Sequence, residues 1–353
     1  MIRPSLFALS TVALMITGTA FAHDVKPWQL TDAADGLKER SCEGAPTQSK
    51  FEPLPIEISP VALAPEGVIP SLSTSISFAG GWEIMSSNPD LGGLSGLAIE
   101  PSGDLLTVSD TGRFIRLGRT DGRLNGEAEI APMQFENLLI KPGKLTSDAE
   151  GLTLRDGLTL VSYERDFRVL AFALDACGAA AKGVLVADPP NRYGLRPIRA
   201  NAGPEALWMD PEGGLHILYE QLRGDEAQTA QITEDGKGHL AALSPPPNLA
   251  EGFRPVGADQ IALSDTKTAT VFLYRAYDRE LGNRIRLDVM RSDQSEPHSV
   301  TLAQPLLVDN FEGVALEDIE DGLRAWIISD DNFSDRQRTL LYAFDVKDGS
   351  PTP

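Results

Sequence analysis

The sequence predicts an all-β fold, a single β-propeller of four-stranded blades. Three observations carry this: an internal repeat, apolar alternation of period two within each repeat, and the near absence of helical spacing. The first repeat runs Ser95–Ile99, a Gly-containing turn, then Leu105–Asp110. The second runs Glu150–Leu154, a turn at Asp156-Gly157, then Leu158–Glu164. The third runs Glu205–Met209, a turn ending at Gly214, then Leu215–Glu220. A degenerate fourth copy lies near Gly257–Arg275, and the fifth runs Glu312–Leu316 and Leu323–Asp330. The period is about 54 residues, enough for four short strands, which is the size of a propeller blade. Five repeats are visible, and a sixth has room in 50–90 or 223–256. The last repeat stops one outer strand short of a blade. The strand-like stretch Ser75–Ile84, ahead of the first repeat, is placed to supply it and so remove the exposed edges.

Residues outside the repeats set the compartment. Residues 1–22 read as a signal peptide: a short positive start, an apolar stretch Leu6–Phe21 and the small-x-small pattern Ala20-Phe21-Ala22, with cleavage after Ala22. The expected location is periplasmic or secreted, with no membrane attachment after cleavage. Residues 23–70 read as an irregular N-terminal extension, and 71–350 as the propeller domain. Two cysteines remain, Cys42 and Cys177; in an oxidising compartment such a pair is expected to form a disulfide, contributing roughly 3–5 kcal/mol. The formal net charge is −20, which disfavours nucleic acid and anionic membranes as partners. An anionic substrate then needs a cation or clustered arginines to approach. A monomer is expected.

In a hairpin the start of strand one lies beside the end of strand two. Glu150, Glu205 and Glu312 start first strands, with Asp148 and Asp309 just ahead, and Asp110, Glu164, Glu220 and Asp330 end second strands. In a propeller all of them gather at one mouth of the central channel. Crowded carboxylates repel unless a cation or proton intervenes, and hard oxygen ligands in such a ring suit Ca²⁺. The bland alternative is that each acid caps backbone N–H groups at a turn. Asp148, Glu150, Glu205, Asp309, Glu312 and Asp330 are the candidate metal ligands; Glu150, Glu164 and Arg165 are the candidate catalytic groups. Arg254, Arg275 and Arg338 are candidates for holding an anionic ester, each with the competing reading of a local ion pair. The chain lacks a G-x-S-x-G elbow, a P-loop, a dinucleotide fingerprint and zinc spacing, and its four histidines give a Ser–His–Asp triad little support.

Several segments, in order, resemble one known family: Gly80-Gly81-Trp82-Glu83, Leu94-Ser95-Gly96-Leu97, Asp148-Ala149-Glu150-Gly151-Leu152, Tyr163-Glu164-Arg165 and Asn201 to Leu207. Phe253-Arg254-Pro255, Val308 to Gly313, Asp330-Asp331-Asn332-Phe333 and Gln337 to Leu341 complete the match. This is the phytase-like family, labelled "esterase-like activity of phytase". The resemblance spans roughly 75–346 and implies a propeller, an export signal and hydrolysis of phosphate or carboxyl esters. The chain departs from the family pattern in its fourth repeat, where Val256-Gly257 and Tyr274-Arg275 stand in place of acid-bearing pairs. The leading expectation is a calcium-dependent hydrolase of phosphate or related esters. The alternatives are a non-catalytic propeller binding module, and a calcium-dependent lactonase or carboxyl-esterase on the same rim.

Overall fold

A computed structural model describes residues 26–46, 49–135, 148–244 and 247–347. The signal-peptide reading lies outside them. The protein is a five-bladed β-propeller, and the blades follow the sequence repeats. Their inner strands are Leu94–Ile99, Ala149–Arg155, Pro204–Met209, Arg254–Ser264 and Phe311–Ile319. In each blade the second strand returns antiparallel: Leu105–Ser109, Leu158–Tyr163, Leu215–Arg223, Lys267–Asp278 and Gly322–Ser329. The degenerate fourth repeat is therefore a complete blade.

Ring closure is made as the sequence suggested. The strand Ile76–Met85 pairs antiparallel with Leu340–Lys347, the third strand of blade 5, so the blade contains both ends of the domain. No sixth blade exists among the described residues. Glu226–Gln231 and His239–Ala242, in one stretch where a sixth had room, are the outer strands of blade 3. In the other stretch, Glu52–Pro53 extends the edge of blade 1 and Glu57–Pro60 that of blade 5.

The extension differs from the irregular segment expected. Leu30–Ser41 is an α-helix that buries Leu30, Ala34, Leu37 and Ser41, a face at helical spacing. Ser41 ties its end to blade 2, accepting from the Ala173 N–H and donating to the Lys182 carbonyl. Cys42 and Cys177 form the disulfide there, with Cα atoms 5.7 Å apart. Ahead of the helix, the Trp28 N–H donates to the Ile232 carbonyl of blade 3. The polar, Pro-rich flanks hide the signal, since only four helix positions face the protein.

The propeller axis explains the most regular feature of the repeat. Gly96, Gly151, Ala206, Gly257 and Gly313 occupy one equivalent position on the five inner strands, and all five line an axial cavity of only about 10 Å³. A Cβ at Gly96 would stand 2.5 Å from the Glu150 carbonyl oxygen, at Gly151 2.7 Å from Leu207 N, and at Gly257 2.7 Å from the Glu312 oxygen. At Gly313 it would overlap the Ser95 carbonyl oxygen, closing the circle from blade 5 to blade 1. Five inner strands around one axis leave no room for a Cβ at the four glycine positions. Ligands therefore have an end to occupy, not a bore.

Candidate functional site

Each inner strand carries a β-bulge at the residue just before the axial glycine or alanine. The register shifts between Leu94 and Leu97, between Ala149 and Leu152 (opposite Tyr163 and Val161), and between Pro204 and Ala206. It shifts again between Pro255 and Gly257, and between Phe311 and Gly313. A bulge leaves one residue out of the ladder and re-aims its side chain. The residues so displaced are Ser95, Glu150, Glu205, Val256 and Glu312. A second ring follows the second strands: Asp110, Glu164, Glu220, Arg275 and Asp330. Four of these are pinned by a repeated backbone bond, Asp110 N–H to Gly93 O, Glu164 to Asp148 O, Glu220 to Gly203 O and Asp330 to Asn310 O, at 2.9–3.1 Å.

The two rings meet at one mouth of the axis. One carboxylate oxygen from each of Asp148, Glu150 and Glu164 lies within 4.8 Å of the others, and the same holds for Glu164, Glu205 and Glu220. Glu164 belongs to both triads. Arg165 donates Nε to Asp148 at 2.6 Å. Arg275 stands 3.3 Å from Glu312 and 3.7 Å from Glu220, and donates to the Asn310 side-chain oxygen at 2.5 Å. The Asn310 amide in turn donates to Glu312 at 3.0 Å and to Asp330 at 3.4 Å.

The electrostatics follow from crowding in a water-poor place. Burial, then the negative charge of Glu312, Asp148 and Glu164, holds the Glu150 carboxyl well above its usual range, against a hydrogen bond from Ser95. Glu205 is likewise raised by burial and by Glu150, Glu164 and Glu220; it donates a proton-sharing hydrogen bond to Glu164. Burial pushes Glu164 up to about 7, with Asp148 and Glu220 adding to the rise and Glu205 and Arg165 opposing it. Glu220 is raised by burial, and Arg275, Arg199 and Arg254 pull the other way. Burial disfavours the Arg275 charge, yet Glu312, Glu220, Glu205 and Asp330 outweigh it and raise its pKa.

A pH dependence of stability results. Glu164 titrates at about 7 in the fold against an ordinary 4.5, so between those values the folded chain binds more protons than the unfolded one. Without added cations, stability is expected to fall as pH rises through this window, by on the order of 2–3 kcal/mol from Glu164 alone. Thermal melts in EDTA at pH 5 and pH 8 check this. Glu164→Gln should flatten the profile; an unaltered slope in that variant contradicts the assignment.

Not every expected ligand joins the ring. Asp309 is a backbone staple: one oxygen accepts the Asn310 N–H at 2.9 Å and the other the Arg338 N–H at 3.1 Å. Arg338 stands 3.9 Å from Glu83 on the outer strand, and its charge also acts on Asp309. Asp330 borders the ring with one oxygen engaged by the Asn332 N–H at 2.5 Å. Glu164, read as a catalytic group, is common to both triads, and Glu220, noted on the rim but outside the ligand set, completes one of them. Asn310 and Ser95 were not foreseen. The repeated small residue one position after each displaced side chain was the available signal.

The residues fit a hard divalent cation. Oxygens on opposite sides of a Ca²⁺ stand about 4.8 Å apart, given ligand distances near 2.4 Å. Each triad falls within that span without rearrangement.

The chain is distantly similar to several solved structures. A PQQ-bound aldose sugar dehydrogenase from Streptomyces coelicolor is 12% identical over 77% of this chain and 98% of its own, with a TM-score of 0.45. A protein of unknown function from Dyadobacter fermentans is 10% identical, over 86% and 97%, at 0.41. A calcium structure of a carbohydrate-active enzyme of family AA12 from Trichoderma reesei is 12% identical, over 85% and 98%, at 0.40. Nothing about the site is carried over from any of them. No curated protein matches the chain. The family model described as "Phytase-like: Esterase-like activity of phytase" matches residues 89–333, which takes in both carboxylate rings. The chain therefore belongs to the phytase-like family.

Proposed function

We propose that this protein is an exported, calcium-dependent hydrolase of phosphate or related esters, working at the carboxylate-ringed mouth of the propeller. The observation that carries this reading is the pair of oxygen triads sharing Glu164, flanked by the guanidiniums of Arg165 and Arg275. Family membership supports ester hydrolysis, and the Cys42–Cys177 disulfide supports an oxidising compartment.

Asp148 and Glu150 with Glu164 would hold the cation at one triad, and Glu205 and Glu220 with Glu164 at the other, with Glu312 at the border of the ring. A bound Ca²⁺ would supply Lewis acidity toward an ester oxygen and offset the negative field. Glu164, common to both triads, would also accept a proton from the attacking water. Arg165 keeps its guanidinium one-third exposed while Asp148 orients it, so it can reach an anionic oxygen. Arg275 faces Glu220 and Glu312 from blade 4, and Arg254, its partner across the hairpin, acts on Glu220 as well. The axial glycines crowd the bore, so substrate and product would share the mouth.

Purified protein assayed on phytate, an aryl phosphate and an aryl acetate, with Ca²⁺ or with EDTA, tests the proposal. Phosphate release abolished by EDTA is expected, and Glu164→Gln should lower kcat at least about 100-fold. Turnover of the acetate alone would make the protein a carboxyl-esterase on the same rim. No turnover under either condition would leave a binding module.

A further inference from the structure

The connections between blades run on the same face as the mouth, because inner strands start there and second strands end there. One of them is unlike the rest of this acidic chain. Residues 189–204 contain three arginines and no acid. Within them Arg192–Tyr193 pairs with Arg196–Pro197 in a hairpin turning at Gly194-Leu195, where Gly194 has the positive φ of 62° that such a two-residue turn needs.

The hairpin is fastened beside the ring. The Tyr193 hydroxyl donates to the Gln221 carbonyl at 2.6 Å, and the Tyr219 hydroxyl donates to the Pro190 carbonyl at 2.9 Å. The Arg199 N–H and Nε both donate to the Gln221 side-chain oxygen, at 3.0 and 3.3 Å. Gln221 directly follows the ring residue Glu220, and the pull of Arg199 and Arg254 is felt at that carboxylate. Arg196 lies opposite Tyr193 in the hairpin, so the two share a face, and Arg192 lies on the other. Arg223, at the end of the second strand of blade 3, stands close enough to Tyr193 to act on it electrostatically.

Arg116, Arg119, Arg286 and Arg324 are each taken up by a carboxylate. Arg196, Arg199, Arg223 and Arg254 have no carboxylate within ion-pair distance among the described residues. Arg199 and Arg254 both act on Glu220, and Arg196 and Arg223 both flank Tyr193; guanidiniums so placed at one edge of an acidic mouth are stabilised by an anion. We propose that Arg196, Arg199, Arg223 and Arg254 form an anion-binding shelf that holds a phosphate or carboxylate group of the ligand beside the carboxylate ring. Its service to a substrate rests on the hydrolytic reading above; the binding itself does not. On that reading the substrate is an ester bearing a second anionic group, which the shelf grips while the ester lies over Glu164.

Calorimetric titration with inorganic pyrophosphate, in calcium-free buffer of low ionic strength, tests the shelf without turnover. The wild-type chain should bind, and added salt should weaken the binding. Arg196→Gln with Arg199→Gln should weaken it at least about tenfold, whereas Arg192→Gln, on the opposite face, should change it less than about twofold. The substituted side chains are exposed, and a melt of each variant confirms folding. Absence of wild-type binding overturns the shelf, as does equal binding by the double variant or an equal loss in Arg192→Gln. If pyrophosphate binds as expected but no ester is hydrolysed, the shelf stands and the hydrolase reading falls.

Discussion

Replacing Gly313 with alanine should destabilise the protein by at least about 3 kcal/mol, shown as a lowered urea midpoint with an unchanged slope. The new methyl would overlap the Ser95 carbonyl oxygen and stand 2.7 Å from the Ile328 side chain. Neither neighbour can yield cheaply. Ser95 belongs to the inner strand of blade 1, and moving it shifts Gly96 against Glu150 in turn. Strain at one axial position is thus passed round a closed ring of five strands. Gly36→Ala supplies the contrast: it lies mid-helix with nothing within 4 Å of the added Cβ. That change should stabilise the chain by up to about 1 kcal/mol, through helix propensity. Equal effects from the two substitutions would mean that the axis is looser than described.

Arg275→Met is expected to cost about 3 kcal/mol at pH 8 in the absence of divalent cations, and distinctly less at pH 5. Arg275 is the guanidinium facing both Glu220 and Glu312, and it anchors Asn310, which in turn holds Glu312 and Asp330. Removing one partner from a desolvated charge cluster leaves the others uncompensated. The sign with pH follows from Glu220, whose pKa is already raised by burial with Arg275 opposing the rise. Without Arg275 it rises further, and the folded state takes up more protons than the unfolded one. The deficit therefore grows as pH rises through the altered pKa and shrinks below the unfolded value. Ca²⁺ should restore part of the loss at pH 8 by replacing the missing positive charge. A deficit that is the same at both pH values would show that Arg275 acts through packing rather than charge.

The blade plan was legible because it depends on short-range pattern. Leu97/Ile99, Leu152/Leu154, Leu207/Met209 and Val314/Leu316 alternate as half-buried strands must, and Gly-containing turns separate them. The closing strand was legible from the missing outer strand of the last repeat. The N-terminal helix was not, because its buried face comprises only Leu30, Ala34, Leu37 and Ser41 within a polar stretch. The blade count was ambiguous because Glu226–Gln231 and His239–Ala242 are weakly apolar outer strands, half-exposed and without strong alternation.

By itself the sequence determined that acids recur at both ends of the same hairpin, and hence that blades bring them to one mouth. The tertiary structure alone decided which of them face one another. Asp309 and Glu312 are three residues apart, yet Asp309 is consumed by the backbone N–H groups of Asn310 and Arg338, and Glu312 meets Arg275 from another blade. That outcome depends on the bulge that turns Glu150, Glu205 and Glu312 out of their ladders, and on glycines thin enough to let five strands meet. Side-chain direction at a bulge and distance across an axis are set by chain segments about 54 residues apart or more, and no local pattern of residues encodes them.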